Sequence, residues 1–160
     1  MCSSDLWALR VNPSSGNLHP TEAYIGWRDG VWHYAPKAHA LEQRAHAATP
    51  LMEHAFLVGL TSIHWREAWK YGERAFRYCQ HDTGHALAAV RLAAAMHGWR
   101  LELLPWTHAD VAAFLGIDRE TDYANAEREE AECVALVWAG ERPIVDANAV
   151  VDRKSTRLNS

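Results

Sequence analysis

Cysteine is scarce in this 160-residue chain: Cys2, Cys79 and Cys133 stand far apart, with no CxxC spacing. Neither a zinc ribbon nor a disulfide framework is signalled, and reduced thiols in a cytoplasm are the plain expectation. Long apolar runs are also lacking. Ala86–Met96 is too short to span a bilayer and is interrupted by Arg91. Residues 1–10 carry Asp5 and Arg10 without the apolar segment of a secretory signal, so no membrane partner is expected. Basic excess is missing: 16 Lys and Arg face 20 Asp and Glu, for a net charge of -4. With no basic stripe, a nucleic-acid surface is not expected. No GxGxxG turn, Walker-type P-loop or GxSxG elbow occurs, and there is no internal repeat.

What the chain has is a core and many planar groups. Its residues are 49% hydrophobic, enough for a single buried domain or part of one. Eight Trp and ten His are many for this length and suggest a site or interface built from planar and titratable groups. Both ends, residues 1–6 (MCSSDL) and 152–160 (DRKSTRLNS), are polar and pattern-free. They read as non-native read-through around a partial domain at 7–151; ordinary frayed tails are the alternative.

Along the chain, Trp7–Pro20 is loop-like. Glu22–Arg28 and Val31–Ala35 alternate as two strands, joined by a hairpin signal at Asp29-Gly30 and closed by Pro36. A short helix is expected over His39–Ala48 with Leu41 inward. Leu51–Ile63 suits a buried helix running into a strand, and Glu67–Tyr78 mixes loop and helix. Asp82 is a good N-cap for a helix over Thr83–His97, apolar on nearly every face and therefore central and buried, ended by Gly98. Arg100–Leu104 reads as a strand. A helix capped by Thr107 runs through Phe114 and stops at Gly116. Glu127–Glu132 reads as an acidic turn or short helix, and Cys133–Ala139 as a buried strand. Helices and strands without regular βαβ alternation indicate an α+β fold.

Two segments carry chemistry. In RVNPSSGNLHPTE (Arg10–Glu22), Pro13 and Pro20 stiffen a loop in which Gly16 permits close approach of a flat ligand. Ser14, Ser15 and Asn17 offer donors and acceptors that suit the polar edge of an isoalloxazine ring, and Arg10 could balance a phosphate or reduced flavin. The bland alternative is a connecting loop. In WREAWKYGERAFRYCQHDTGH (Trp65–His85), a lysine such as Lys70 could act as a base only if burial lowered its pKa; otherwise Lys70 and Tyr71 are a surface charge and a packing aromatic. Arg74 and Arg77 could face a phosphate or pair with Glu67 and Glu73, the ion pairs being the expectation. Gly84 and His85, near a helix N-terminus, could approach an anionic cofactor, or could simply pack.

The Pro13–Asn17 run and the Trp-Lys-Tyr-Gly segment resemble the nitroreductase family, in its branch of SagB-type azoline dehydrogenases. His19 stands where that branch commonly has an aromatic residue. The resemblance covers about Trp7 to Trp138 and implies a nitroreductase-like α+β fold, an antiparallel-rich sheet packed with helices around a buried central helix. It implies an FMN-dependent oxidoreductase in which Arg10, Pro13, Ser14, Ser15, Gly16, Asn17, Gly84 and His85 contact the cofactor. Lys70 and Tyr71 would remove a proton from a small-molecule or modified-peptide substrate. A homodimer, or a duplicated chain imitating one, would hold FMN at its interface. The family's phosphate-binding basic residues are expected outside this segment, so the fragment alone is expected to bind FMN poorly. Two rivals remain: a non-catalytic scaffold of the same fold, and a metalloenzyme using His81 and His85, whose i, i+4 spacing suits zinc but lacks an evident third ligand.

Overall fold

The computed structural model describes residues 10–46, 54–124 and 127–145. Both proposed read-through ends lie outside them. The first elements are β1 (Thr21–Trp27), β2 (Gly30–Ala35), β3 (Ala40–His46) and β4 (Ala55–Ser62). Helices α1 (His64–Tyr71) and α2 (Ala75–Met96) follow, then β5 (Arg100–Leu103), α3 (His108–Leu115) and β6 (Glu130–Trp138). All six strands form one sheet in the order β3-β2-β1-β4-β6-β5, with every neighbouring pair antiparallel. The α+β expectation holds.

Strand periodicity divides the core into two layers. In β4, Leu57 points into one cluster with Phe114, Leu115 and Val134, while Val58 and Leu60 point into the other with Ala86 and Ala94. In β6, Leu136 and Val137 divide the same way. Helix α3 lies very close to its face. A Cβ on Gly26 would stand 2.5 Å from Phe114, and one on Gly59 would stand 2.5 Å from Leu115. Thr107 caps α3 with Asp110 in a reciprocal capping box, as the sequence indicates.

Four local expectations are corrected. The segment expected as a helix from His39 is the edge strand β3, where the chain pairs with β2 and leaves Leu41 exposed; Ala47 and Ala48 lie outside the described residues. The hairpin turn is Arg28-Asp29, one residue earlier than read, with Arg28 left-handed at φ 55° and Gly30 already paired to Trp27. Glu127–Glu129 are irregular and Glu130 begins β6, with no helix. The long helix does not start at Asp82: α2 begins at Ala75, so Asp82 sits in its interior, buried.

Helix α2 is also not buried all round. Ala75, Cys79, Asp82, Thr83, Ala86 and Ala94 face inward, while Leu92 and Met96 remain 67% and 86% exposed. The sheet covers only one side, which leaves an apolar stripe bare. No helix among the described residues is long and apolar enough to cross a membrane.

Candidate functional site

The loop ahead of β1 takes a conformation few residues adopt. Gly16, Asn17 and His19 have φ of 63°, 59° and 48°, the left-handed region that costs energy for any side chain but glycine's and tends to persist at functional sites. Its hydrogen bonds explain how it holds. Asn17 N–H donates to the Ser14 carbonyl at 3.1 Å, and His19 N–H donates to Ser14 Oγ at 2.9 Å. Asn17 Oδ1 and His19 Nε2 are 2.8 Å apart.

A buried carboxylate anchors the far end. Glu22, 6% exposed, lies 2.6 Å from Arg66, 2.9 Å from His33 and 3.5 Å from Arg10. The two arginines also reach the loop backbone: Arg10 donates to the Thr21 carbonyl at 2.8 Å, and Arg66 to the His19 carbonyl at 3.0 Å. Burial works against the Glu22 charge, but hydrogen bonds from His33 and Arg66 and the nearby guanidinium charges hold its carboxyl below the usual range. The same hydrogen bond raises His33. Arg10, expected to face a phosphate, is turned inward onto its own loop.

The two sequence motifs meet. A Cβ at Gly16 would fall 2.5 Å from Lys70 Nζ and 2.7 Å from Tyr71 Oη, so a larger residue would have to displace the ends of those side chains and also adopt a left-handed φ. Lys70 Nζ lies 5.4 Å from the Tyr71 ring centroid, and Tyr71 packs on Tyr78 of α2 with centroids 4.5 Å apart. Lys70 is exposed and Tyr71 half-buried; the burial expected to suit the lysine for a base is not supplied by this chain. Beside Lys70, Trp65 and Trp69 form an exposed aromatic face on α1.

Other sequence candidates lie elsewhere. Gly84 and His85 are exposed in the middle of α2, not at a helix N-terminus, and a Cβ on Gly84 would meet nothing within 4 Å. Arg74 and Arg77 are exposed, and Glu67, their expected partner, is fully buried and unbonded. His81 and His85 share α2, contrary to the expectation that the helix starts between them. Among the described residues no group of three or more His, Cys, Asp or Glu could hold a metal.

Sequence reading missed Glu22, His33 and Arg66 as the fixture of the loop. Only the Glu closing the PTE run signalled it, because the partners come from β2 and α1. Two cavities flank the site. One, of about 330 Å³, lies between Arg10, Glu22 and Leu60 and the α2 residues Ala86 and Val90. The other, of about 420 Å³, lies between α3 and the start of β6 and is lined by His64, His108, Glu129 and Glu132. The first opens onto the buried side of α2 and the second onto an acidic rim.

The fold is that of the nitroreductases. A chain of the Escherichia coli microcin synthetase McbBCD complex with truncated pro-MccB17 bound superposes with a TM-score of 0.70 at 21% identity, over 88% of this chain and 59% of that one. A nitroreductase structure from Anabaena variabilis gives 0.67 at 23% identity, over 95% and 38%, and one from Ralstonia eutropha 0.64 at 16%, over 84% and 64%. In sequence the chain is 26% identical over 113 residues to a Methanocaldococcus jannaschii protein named a nitroreductase. That match takes in 59% of this chain, which spans 57% of the curated relative's length. No protein-family model matches the chain. The chain thus has the nitroreductase fold, and part of it is similar in sequence to a protein of that name.

Proposed function

We propose that the chain forms part of an FMN-dependent oxidoreductase that moves two electrons between a substrate and the flavin. The observation that carries this is the apposition of the Gly16 loop to Lys70 and Tyr71, which brings a ring-edge loop and a candidate acid–base pair to one place. Gly16 is left-handed and lies against the ends of Lys70 and Tyr71, Ser15 is half-buried and Asn17 exposed, and Pro13 and Ser14 stiffen the loop; these fit the polar edge of a flavin ring. The phosphate end does not fit as well: Arg10 is engaged by loop carbonyls and Glu22, so the phosphate contact assigned to it falls to residues beyond this site. Gly84 and His85, exposed on α2, fit cofactor contact only if a second subunit brings FMN to that face.

FMN, when bound, would accept or deliver the electron pair. The chain's own residues would orient its ring, and Lys70 or Tyr71 would take the proton leaving the substrate carbon. The truncated pro-MccB17 bound to the E. coli complex favours oxidation of a modified-peptide azoline; NAD(P)H-dependent reduction of nitro or quinone compounds is the other reaction of this class. The bare side of α2 and the Trp65–Trp69 face favour a homodimer or an intramolecular pseudo-dimer covering both. Free thiols at Cys79 and Cys133 suit a cytoplasmic setting.

A second reading is a scaffold of this fold without catalysis, favoured by the inward Arg10 and exposed Lys70. The test is a visible spectrum of the full-length protein. Flavin absorbance, released as FMN on denaturation, supports the oxidoreductase. A colourless protein that takes up no added FMN defeats it and leaves the scaffold.

A further inference from the structure

Asn17 and His19 bond to each other across the turn of the loop, with Asn17 Oδ1 and His19 Nε2 2.8 Å apart. The backbone around them is pinned independently. Asn17 N–H donates to the Ser14 carbonyl at 3.1 Å and His19 N–H to Ser14 Oγ at 2.9 Å. The His19 carbonyl accepts from Arg66 at 3.0 Å and from Arg10 at 3.4 Å. The turn is thus closed without the side-chain contact, which leaves that contact free for another role.

An amide oxygen only accepts, so Nε2 carries the ring hydrogen and Nδ1 a lone pair. Nδ1 is buried and meets no partner. A lone pair is the better choice there, because an N–H dipole is disfavoured beside the two guanidinium ions that converge on this residue. Burial first, then Arg10, hold the imidazole below its ordinary value, with Asp82 opposing. A neutral ring with a single donor is the form that these surroundings select.

With its oxygen held by His19, the Asn17 carboxamide has its NH2 group left to offer, on a residue that is exposed. Its neighbour Gly16 lies against Lys70 Nζ and Tyr71 Oη. An amide NH2, an ammonium and a phenol hydroxyl therefore share one stretch of surface, which suits a ligand edge rich in acceptors. A carboxamide released from the ring would be able to turn over and offer its oxygen, which repels such an edge.

We propose that His19 is a positioning residue: by holding Asn17 Oδ1 it presents the Asn17 NH2 to the acceptor edge of the flavin, and so favours the reduced cofactor. Reduction gathers negative charge on that edge, and a donor fixed there binds the reduced form more tightly than the oxidised one. The flavin part rests on the function proposed above; the His19 tautomer and the Asn17 orientation do not.

The experiment has two arms. In the flavin-free full-length protein, nitrogen-15 NMR of the His19 ring reads the tautomer. A neutral ring protonated at Nε2 is expected, and His19→Asn, which tolerates the left-handed φ of 48°, should shift the Asn17 side-chain amide resonances. A ring protonated at Nδ1, or amide resonances unmoved by His19→Asn, overturns the orientation. In the flavin-loaded protein, the midpoint potential reads how tightly reduced FMN is held relative to oxidised. Asn17→Ala should weaken the reduced form about tenfold against the oxidised, the worth of one hydrogen bond, which lowers a two-electron potential by about 30 mV. His19→Asn should give a smaller shift in the same direction, and none beyond that of Asn17→Ala in the double variant. A potential unmoved by either single variant, or shifts that add in full, overturns the positioning role; a merely structural loop would weaken both forms alike. A protein that takes up no FMN overturns the flavin part together with the proposed function, while the NMR arm still decides the orientation, so the two failures are distinguishable.

Discussion

The Gly16 Cα faces Lys70 so closely that a β-carbon there would lie 2.5 Å from the Lys70 ammonium nitrogen. A loop before the first strand and the last turn of α1, more than fifty residues on, are thereby fixed as one surface. Gly16→Ala meets this contact and a left-handed φ of 63° together, for an expected cost of about 2 kcal/mol. Lys70 ends in a flexible chain, so Lys70→Ala should recover part of that loss, the strain alone remaining. Urea denaturation of the single and double variants measures the coupling; strictly additive effects would contradict the contact.

Glu22 is the shared partner of Arg66, His33 and Arg10. Glu22→Gln leaves three cationic groups without their buried counter-charge, and a loss of about 3 kcal/mol is expected. The loop should loosen with it, read as faster amide exchange over residues 14–19.

The same cluster sets a pH dependence. The Glu22 carboxyl is lowered, so its contribution is present above the ordinary glutamate value and is lost as pH falls through the folded value. His33 is raised, so its contribution is full below the ordinary imidazole value and is lost as pH rises through the folded one. Stability should therefore be greatest between the two and decline on both sides. Glu22→Gln should flatten both limbs; denaturation midpoints across pH, with variant limbs as steep as the parent's, would refute this.

Phe114 fills the space left by Gly26 and packs edge-on against Trp106, with ring centroids 5.4 Å apart. Phe114→Ala should cost about 3–5 kcal/mol through lost contacts and a cavity. Thermal denaturation gives the value, and a loss below about 1 kcal/mol would mean that α3 collapses onto the sheet.

Leu92 and Met96 are exposed on α2. Leu92→Asp with Met96→Asp should change the stability of an isolated monomer by no more than about 0.5 kcal/mol. If α2 is covered by a second subunit, the double variant should dissociate the full-length protein, which light scattering reads as a halved mass. An unaltered mass would place the interface elsewhere.

Much of the fold was legible along the chain because its signals are local. The β1–β2 hairpin follows from alternation around a tight turn, and α3 from Thr107 and Gly116 at its ends. The segment 40–46 was misread because its polar alternation fits a helix face as well as an edge strand; pairing with β2 decides it. Asp82 looked like a cap because capping is local chemistry, whereas its burial depends on how α1 lies across α2.

The sequence by itself determined the α+β class and marked out the Pro13–Asn17 loop and the Lys70-Tyr71 segment as candidates, since residue types at short spacing carry that much. Only the tertiary structure decided that Gly16 lies against that pair, that Arg10 turns inward onto Glu22, and that Glu67 and Asp82 are buried. Those facts join residues far apart in the chain. Their charge, burial and contacts come from packing, which no local pattern encodes.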